Sequence, residues 1–292
     1  MHADEVDTDA SLVRGLLAAQ YPRWADLPIE RIPSGGTEFA VYRVGDDLAV
    51  RLPLHLPAVP IVHHEHEWLP RLAPLLPLAI PEPLAKGRPA LGYAWPWSVY
   101  RWLPGANPAD GTIRDLRQAA LDLARFVNAL HAIDLPRAPR AYRGVTLASR
   151  DASVRRALDV LAGEIDTVAA ADAWDAALRV PAWDAPPVWI HGDISSGNLL
   201  CVCGRLSAVI DFSGVGLGEP APDLIVAWEL LPPEERAVFR RAVRVDDATW
   251  ARGRGWALST ALIALPYYRE TNEEMMRMAG RKLAAVLAEQ AA

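Results

Sequence analysis

The sequence predicts an α+β chain of two lobes, a small β-rich first part and a larger, mainly helical second part. Three observations predict it. Short alternating apolar runs with turn residues between them fill the chain up to about residue 104. Long stretches with helical apolar spacing dominate after it. Pro104-Gly105 punctuates the change. The expected division is 1–101 for the first lobe and 102–292 for the second, joined near Trp102–Gly105. A cleft between lobes is the expected ligand site.

Each element has its own reason. Thr8 or Asp9 can cap a first helix whose apolar side carries Leu12, Leu16, Leu17 and Ala19. "FAVYRVG" and "DLAVRLP" alternate and are joined by Gly45-Asp46-Asp47, a hairpin signal. "IVHHEHEWLPRLAPLL" reads as a helix entered after Pro60, with Pro70 and Pro74 shortening or breaking it. "GYAWPWSVYRWLPG" is aromatic and β-branched, hence a strand ending at Pro104-Gly105. "TIRDLRQAALDLARFVNALHAI" is an amphipathic helix with Leu116, Ala120, Leu123, Phe126, Val127 and Leu130 at helical spacing. A second helix is expected over 151–171. Two β segments follow, 187–191 and 198–210, with a turn at Gly204-Arg205, and 222–290 is largely helical. The sequence has no repeat and no low-complexity tract.

Composition narrows the function classes. With 292 residues, 51% hydrophobic and 23% charged, the chain can build a full core. A net charge of −6 argues against a nucleic-acid partner and is compatible with a cationic small substrate. The apolar stretches are broken well before the ~20 residues that a membrane span needs. The acidic start MHADEVDTDA does not resemble a signal peptide, so a cytoplasmic location is expected. Cys201 and Cys203 stand one residue apart on an expected strand, facing the same side, and read as small buried hydrophobes.

The chemistry concentrates in "HGDISSGNLL", residues 191–200. Apolar runs enter and leave it, so its polar residues sit on a tight loop held by buried strands. Asp211 stands at the end of the apolar run of "AVIDF", 18 residues after Asp193. Hairpin-related strands can gather Asp193, Asn198 and Asp211 into one polar pocket. Two carboxylates and an amide oxygen suit Mg²⁺, which commonly brings nucleotide phosphates. Phosphoryl transfer needs such metal ligands, a cation on the phosphates and a carboxylate orienting the attacking hydroxyl.

HGD-x-x-x-x-N, then I-D-F, then GEPAPDL, resembles the aminoglycoside phosphotransferase family, which has a protein-kinase-like fold. The resemblance covers nearly the whole chain. It implies that Asp193 is the catalytic base, that Asn198 and Asp211 hold Mg²⁺, that His191 braces the loop and that Asp223 anchors it. It implies that Ser34, Gly35, Gly36 and Thr37 cover the phosphates of ATP or GTP, and that Val99, Tyr100 and Arg101 offer backbone groups to the base. The family's usual strand lysine is replaced by Arg51, which lies between Val50 and Leu52 and so faces away from them. Its helix partner would be Glu65, with Glu67 the alternative. Glu219 stands where the family more often has Asp.

The implied activity is an O-phosphotransferase acting as a monomer on a hydroxyl of a small polar, cationic molecule such as an aminoglycoside. A kinase of a macrolide, an amino alcohol or a homoserine-like molecule is the neighbouring reading. A nucleotide-binding protein without catalysis is another. Asp166, Asp172, Asp175, Asp184, Glu229 and Glu270 are the acidic candidates for gripping a cation. Other motifs fit less well. "GVGLGEP" lacks the spacing of a dinucleotide fingerprint, and Pro220 follows at once. "HHEHE" reads as a solvated helix face rather than a metal cluster, "ARGRGWAL" as helix packing, and Trp95 and Trp97 as core. No serine-hydrolase elbow or P-loop occurs.

Overall fold

The computed structural model describes residues 6–33, 38–108 and 111–290. The chain forms two compact units, Met1–Gly105 with Ala208–Ser213, and Ala106–Ser207 with Gly214–Ala292.

The first unit is built on a five-stranded antiparallel sheet of β1 (Ile29–Ile32), β2 (Phe39–Val44), β3 (Leu48–Pro53), β4 (Pro83–Gly87) and β5 (Trp97–Arg101), in the order β1-β2-β3-β5-β4. β1 and β4 were not legible, because "IERI" and "PLAKG" carry no alternating apolar pattern. Helix α1 (Ala10–Gln20) starts where Asp9 accepts the Leu12 N–H at 2.7 Å. Its Val13, Leu16 and Leu17 join Tyr42, Val44, Val50, Leu52, Trp97 and Val99 in one core. Trp97 is therefore core, while Trp95 packs at the edge of the same cluster. Helix α2 (Val59–Leu72) carries Pro60 in its first turn, where no N–H is needed. Pro70 falls in its last turn, and the helix ends two residues later.

The second unit begins with α3 (Leu116–His131), capped by Asp115 and burying Leu123, Phe126, Val127 and Leu130. The single helix expected over 151–171 is two, α4 (Asp151–Val160) and α5 (Thr167–Leu178). Gly163 at φ 83 interrupts the run, and Asp166 caps α5 by accepting the Ala169 N–H. The β segments are β6 (Val188–Ile190), β7 (Leu199–Val202), β8 (Arg205–Val209) and β9 (Gly216–Gly218), with β6 paired to β9. The turn after β7 is Cys203-Gly204, both at positive φ as a two-residue hairpin of primed type requires. Cys203 is thus exposed in the turn while Cys201 is buried on the strand, so the two do not share a face.

Among the described residues, the α-helices α6 (Val226–Glu229), α7 (Pro233–Ala242), α8 (Asp247–Tyr268) and α9 (Glu273–Gln290) follow. Gly253 and Gly255 lie in α8 where a Cβ would come within 2.8 Å of Leu224 and 2.7 Å of Leu147. "ARGRGWAL" is a helix-packing stretch. Among the described residues no helix is long and apolar enough to cross a membrane.

Candidate active site

In the second unit, the loop between β6 and β7 is pinned from below. Asp223, 0% exposed, accepts from Gly192 N at 2.6 Å, His191 N at 3.2 Å and His131 Nε2 at 3.0 Å. A buried carboxylate with several donors holds those groups firmly. Gly192 sits at φ 81, where a side chain would be strained. His191 is buried, and its Nδ1 accepts the Asp193 N–H at 3.2 Å, which fixes its tautomer by its partner. The Asn198 amide donates to Asp193 O at 2.9 Å, closing the loop on itself.

Asp193 is the polar group this frame presents, with 48% of its side chain exposed. Arg143 Nη1 lies 2.5 Å from Asp193 Oδ1 and also donates to Gly192 O at 2.6 Å. Sequence reasoning missed Arg143, which lies 50 residues upstream outside any motif. Its segment is tied to β9: Ala141 N donates to Leu217 O, Leu217 N to Pro139 O and Tyr142 N to Gly214 O. A Cβ on Gly216 or Gly218 would fall 2.6 to 2.8 Å from backbone or side-chain atoms there. The glycines of "GVGLGEP" therefore make room for the Arg143 segment, and their alternation was the only available signal.

Several acidic candidates are already engaged. Glu229 accepts from Ser196 N at 2.7 Å and Ser196 Oγ at 2.9 Å, and its other oxygen lies 2.6 Å from Lys282 Nζ. Burial alone would raise its pKa, but Lys282 and the Ser196 bonds hold it below the usual carboxylate value. Asp175 pairs with Arg155, and Asp166 is a helix cap. Glu219 is buried and accepts from Arg252 Nε at 2.9 Å and Trp256 Nε1 at 3.0 Å. Asp172, Asp184 and Glu270 are exposed.

The first unit carries a second polar group. Arg51 Nη1 lies 2.8 Å from both Glu65 oxygens, with side chains 15% and 0% exposed. The Tyr100 hydroxyl also donates to Glu65. The guanidinium lies 4.2 Å from the Phe39 ring centroid. Burial opposes the Arg51 charge, yet Glu65, Tyr100 and Asp211 together hold its pKa above the ordinary value. Burial and Glu65 likewise push the Tyr100 phenol up. Glu67 is exposed and faces Arg71 at 3.7 Å, so Glu65 and not Glu67 meets Arg51.

The other residues of "HHEHE" do separate jobs: His63 meets Lys86, and His66 meets Ser98 at 3.1 Å. Asp211 follows β8 at φ 62, a conformation costing about 1–2 kcal/mol, and accepts the Ser213 N–H at 3.4 Å.

Ser34, Gly35, Gly36 and Thr37 lie outside the described residues. Val99, Tyr100 and Arg101 lie inside β5, paired to β3 on one side and β4 on the other. The Arg101 and Trp102 N–H groups are also taken, by Glu82 O and Asp47 O. The three residues thus sit within the ladder, and the chain leaves the sheet at Trp102–Gly105.

A family model described as "Phosphotransferase enzyme family" matches residues 29–256, more than three quarters of the chain. The chain belongs to the phosphotransferase enzyme family. An aminoglycoside 3'-phosphotransferase from Escherichia coli is 30% identical over 130 residues, 41% of this chain and 46% of that protein. The match thus spans under half the length of that relative. Among solved structures, the GDP complex of an aminoglycoside 2'-phosphotransferase-IIIa variant superposes with a TM-score of 0.74 at 18% identity, covering 97% of this chain and 98% of that one. A macrolide 2'-phosphotransferase from Brachybacterium faecium superposes at 0.61 and 23% identity, covering 94% and 98%. These likenesses establish the fold of this phosphotransferase family member, a small β-rich lobe and a larger helical one.

Proposed function

We propose that this chain is a kinase of small molecules, moving the γ-phosphoryl group of ATP or GTP onto a hydroxyl. The observation that carries this reading is the pinned 191–198 loop, which fixes its backbone on buried Asp223 and leaves one carboxylate, Asp193, half-exposed. Asp193 orients the acceptor hydroxyl and takes its proton as the acceptor oxygen forms a bond to the γ-phosphorus. The bond from that phosphorus to the β–γ bridging oxygen breaks, and the nucleoside diphosphate leaves. Arg143 holds the Asp193 carboxylate in one direction, which favours a near-attack geometry.

In this reading the nucleotide belongs to the lobe of residues 1–101 and the acceptor to 102–292. Arg51 supplies the cation for the phosphates, and Glu65 fixes its direction. Ser34, Gly35, Gly36 and Thr37 are assigned to the phosphates, and Val99, Tyr100 and Arg101, where β5 runs out toward Trp102–Gly105, to the adenine or guanine. Asn198 and Asp211 are assigned to Mg²⁺. The donor set supports that assignment, since both offer hard oxygens. The Asn198 amide nitrogen is used internally, which turns its oxygen away from Asp193 O. When bound, the ion neutralises charge on the phosphates. The reading takes the chain as a monomer acting on a small molecule, with neither membrane nor nucleic acid as partner.

A coupled assay of ADP and GDP release tests the reading, run with Mg²⁺ and a panel of aminoglycosides, macrolides and amino alcohols. Acceptor-dependent release is expected. Tight nucleotide binding with no acceptor-dependent release would instead favour a binding protein without catalysis.

A further inference from the structure

The second unit contains a cavity of about 810 Å³ that opens beside the pinned loop. Ser196 lines it, three residues after Asp193, and three residues of chain reach at most about 10 Å. A volume of this size suits a drug-sized molecule. Met278 of α9 lies 4.0 Å from Ser196 Oγ on the same wall. Much of the rest is apolar: Ile113, Leu116, Trp228, Leu231, Trp250 and Ala288.

The charges around this cavity are unlike those a polycation needs. Of the described lining residues, Arg236, Arg240 and Arg281 are cationic, and only Glu229 and Glu289 are anionic. Both carboxylates are answered from within the protein. Glu229 is held by Lys282 and Ser196. Glu289 accepts from Arg236 Nη1 at 2.7 Å, Trp228 Nε1 at 2.9 Å and Trp250 Nε1 at 3.3 Å. Arg240 is paired in turn with Asp247. A polyamine entering here would lose its water and meet, among the described lining residues, only carboxylates already paired within the protein. An uncharged molecule with an apolar body loses little and gains the partly exposed faces of Leu116 and Trp250.

Resting on the proposed phosphotransfer, we infer that the acceptor is an uncharged, hydroxylated molecule with an apolar body, seated in this cavity with its hydroxyl toward Asp193. This revises the sequence expectation of a cationic acceptor. That expectation leaned on the family resemblance and on acidic side chains, of which Asp166, Asp175 and Glu229 serve the fold instead.

The test uses the whole chain, wild type and Ala288→Trp, with three probes: chloramphenicol and octyl glucoside as neutral hydroxylated molecules, and kanamycin as the polycation. Ala288 is exposed on α9 at the cavity lining, so a larger side chain there fills the cavity without entering the core. Calorimetric titration and nucleoside diphosphate release are read for each pair. The expected result is binding and turnover with at least one neutral probe, weakened at least ~10-fold by Ala288→Trp, which is about 1.4 kcal/mol. The nucleotide KM should be unchanged. Kanamycin binding better than both neutral probes overturns the inference and leaves phosphotransfer intact. So does neutral-probe binding that Ala288→Trp does not weaken, or no binding by either neutral probe. If nothing drives diphosphate release, the phosphotransfer reading falls, and the titrations still decide what the cavity accepts.

Discussion

The two polar centres solve the problem of holding a charge in opposite ways. In the first unit Arg51, Glu65 and Tyr100 are withdrawn from water together, and each is the other's solvent. In the second unit Asp193 stays half in water, and what is buried is its support: Asp223, His191 and the backbone of Gly192. The first arrangement ties function to stability, because removing one member strands another in a low-dielectric interior. The second separates them, because the presented carboxylate carries little of the folding free energy.

Asp193→Asn should sharpen this contrast most. Loss of a general base costs ~100- to 10,000-fold in turnover. Stability should stay within about 0.5 kcal/mol, as for an exposed position. Rates of diphosphate release beside urea unfolding measure both, and a large loss of stability would break the distinction.

Arg51→Ala should do the converse and destabilise the fold by about 3–5 kcal/mol, because Glu65 is left buried without its cation. Chemical denaturation of Arg51→Ala and of the double variant Arg51→Ala/Glu65→Leu checks it. The double variant should recover part of the loss. If Arg51→Ala unfolds like wild type, the cluster is not held together by burial.

Arg143→Ala should come next, lowering turnover by ~10- to 100-fold, since one or two charge-assisted hydrogen bonds of about 1.5–3 kcal/mol are lost. The nucleotide KM should stay put, and Arg143→Lys should restore part of the rate. An equal rise in nucleotide KM would contradict a role confined to the acceptor side.

The smallest effect concerns pH. Burial first, then Lys86 and His63, push His66 down to about 4 from its ordinary 6.5. The unfolded chain then takes up a proton that the folded chain refuses as pH falls. The stability tied to His66 is present above about 6.5 and declines as pH drops from 6.5 toward 4. His66→Asn should flatten that part of the profile in thermal melts taken between these values.

Much of this was legible in the chain. Alternation in "LAVRLP" set Arg51 apart from Val50 and Leu52, and helical spacing put Glu65 beside the apolar face of α2, where both are found. Apolar runs around "HGDISSGNLL" marked β6 and β7. What escaped notice depends on contacts distant in sequence. Arg143 reaches Asp193 through pairing with β9, a strand of Gly-Leu-Gly with no β signature. β1 and β4 owe their form to neighbouring strands rather than to their own composition. The break between α4 and α5 turned on one glycine and one capping aspartate.

The turn at Cys203-Gly204 has a practical consequence. Cys203 stands in water, while burial raises the pKa of the Cys201 thiol and so reduces its reactive thiolate at neutral pH. A maleimide dye should therefore attach at Cys203 alone, giving a single fluorescent reporter on the wild-type chain with no cysteine engineering.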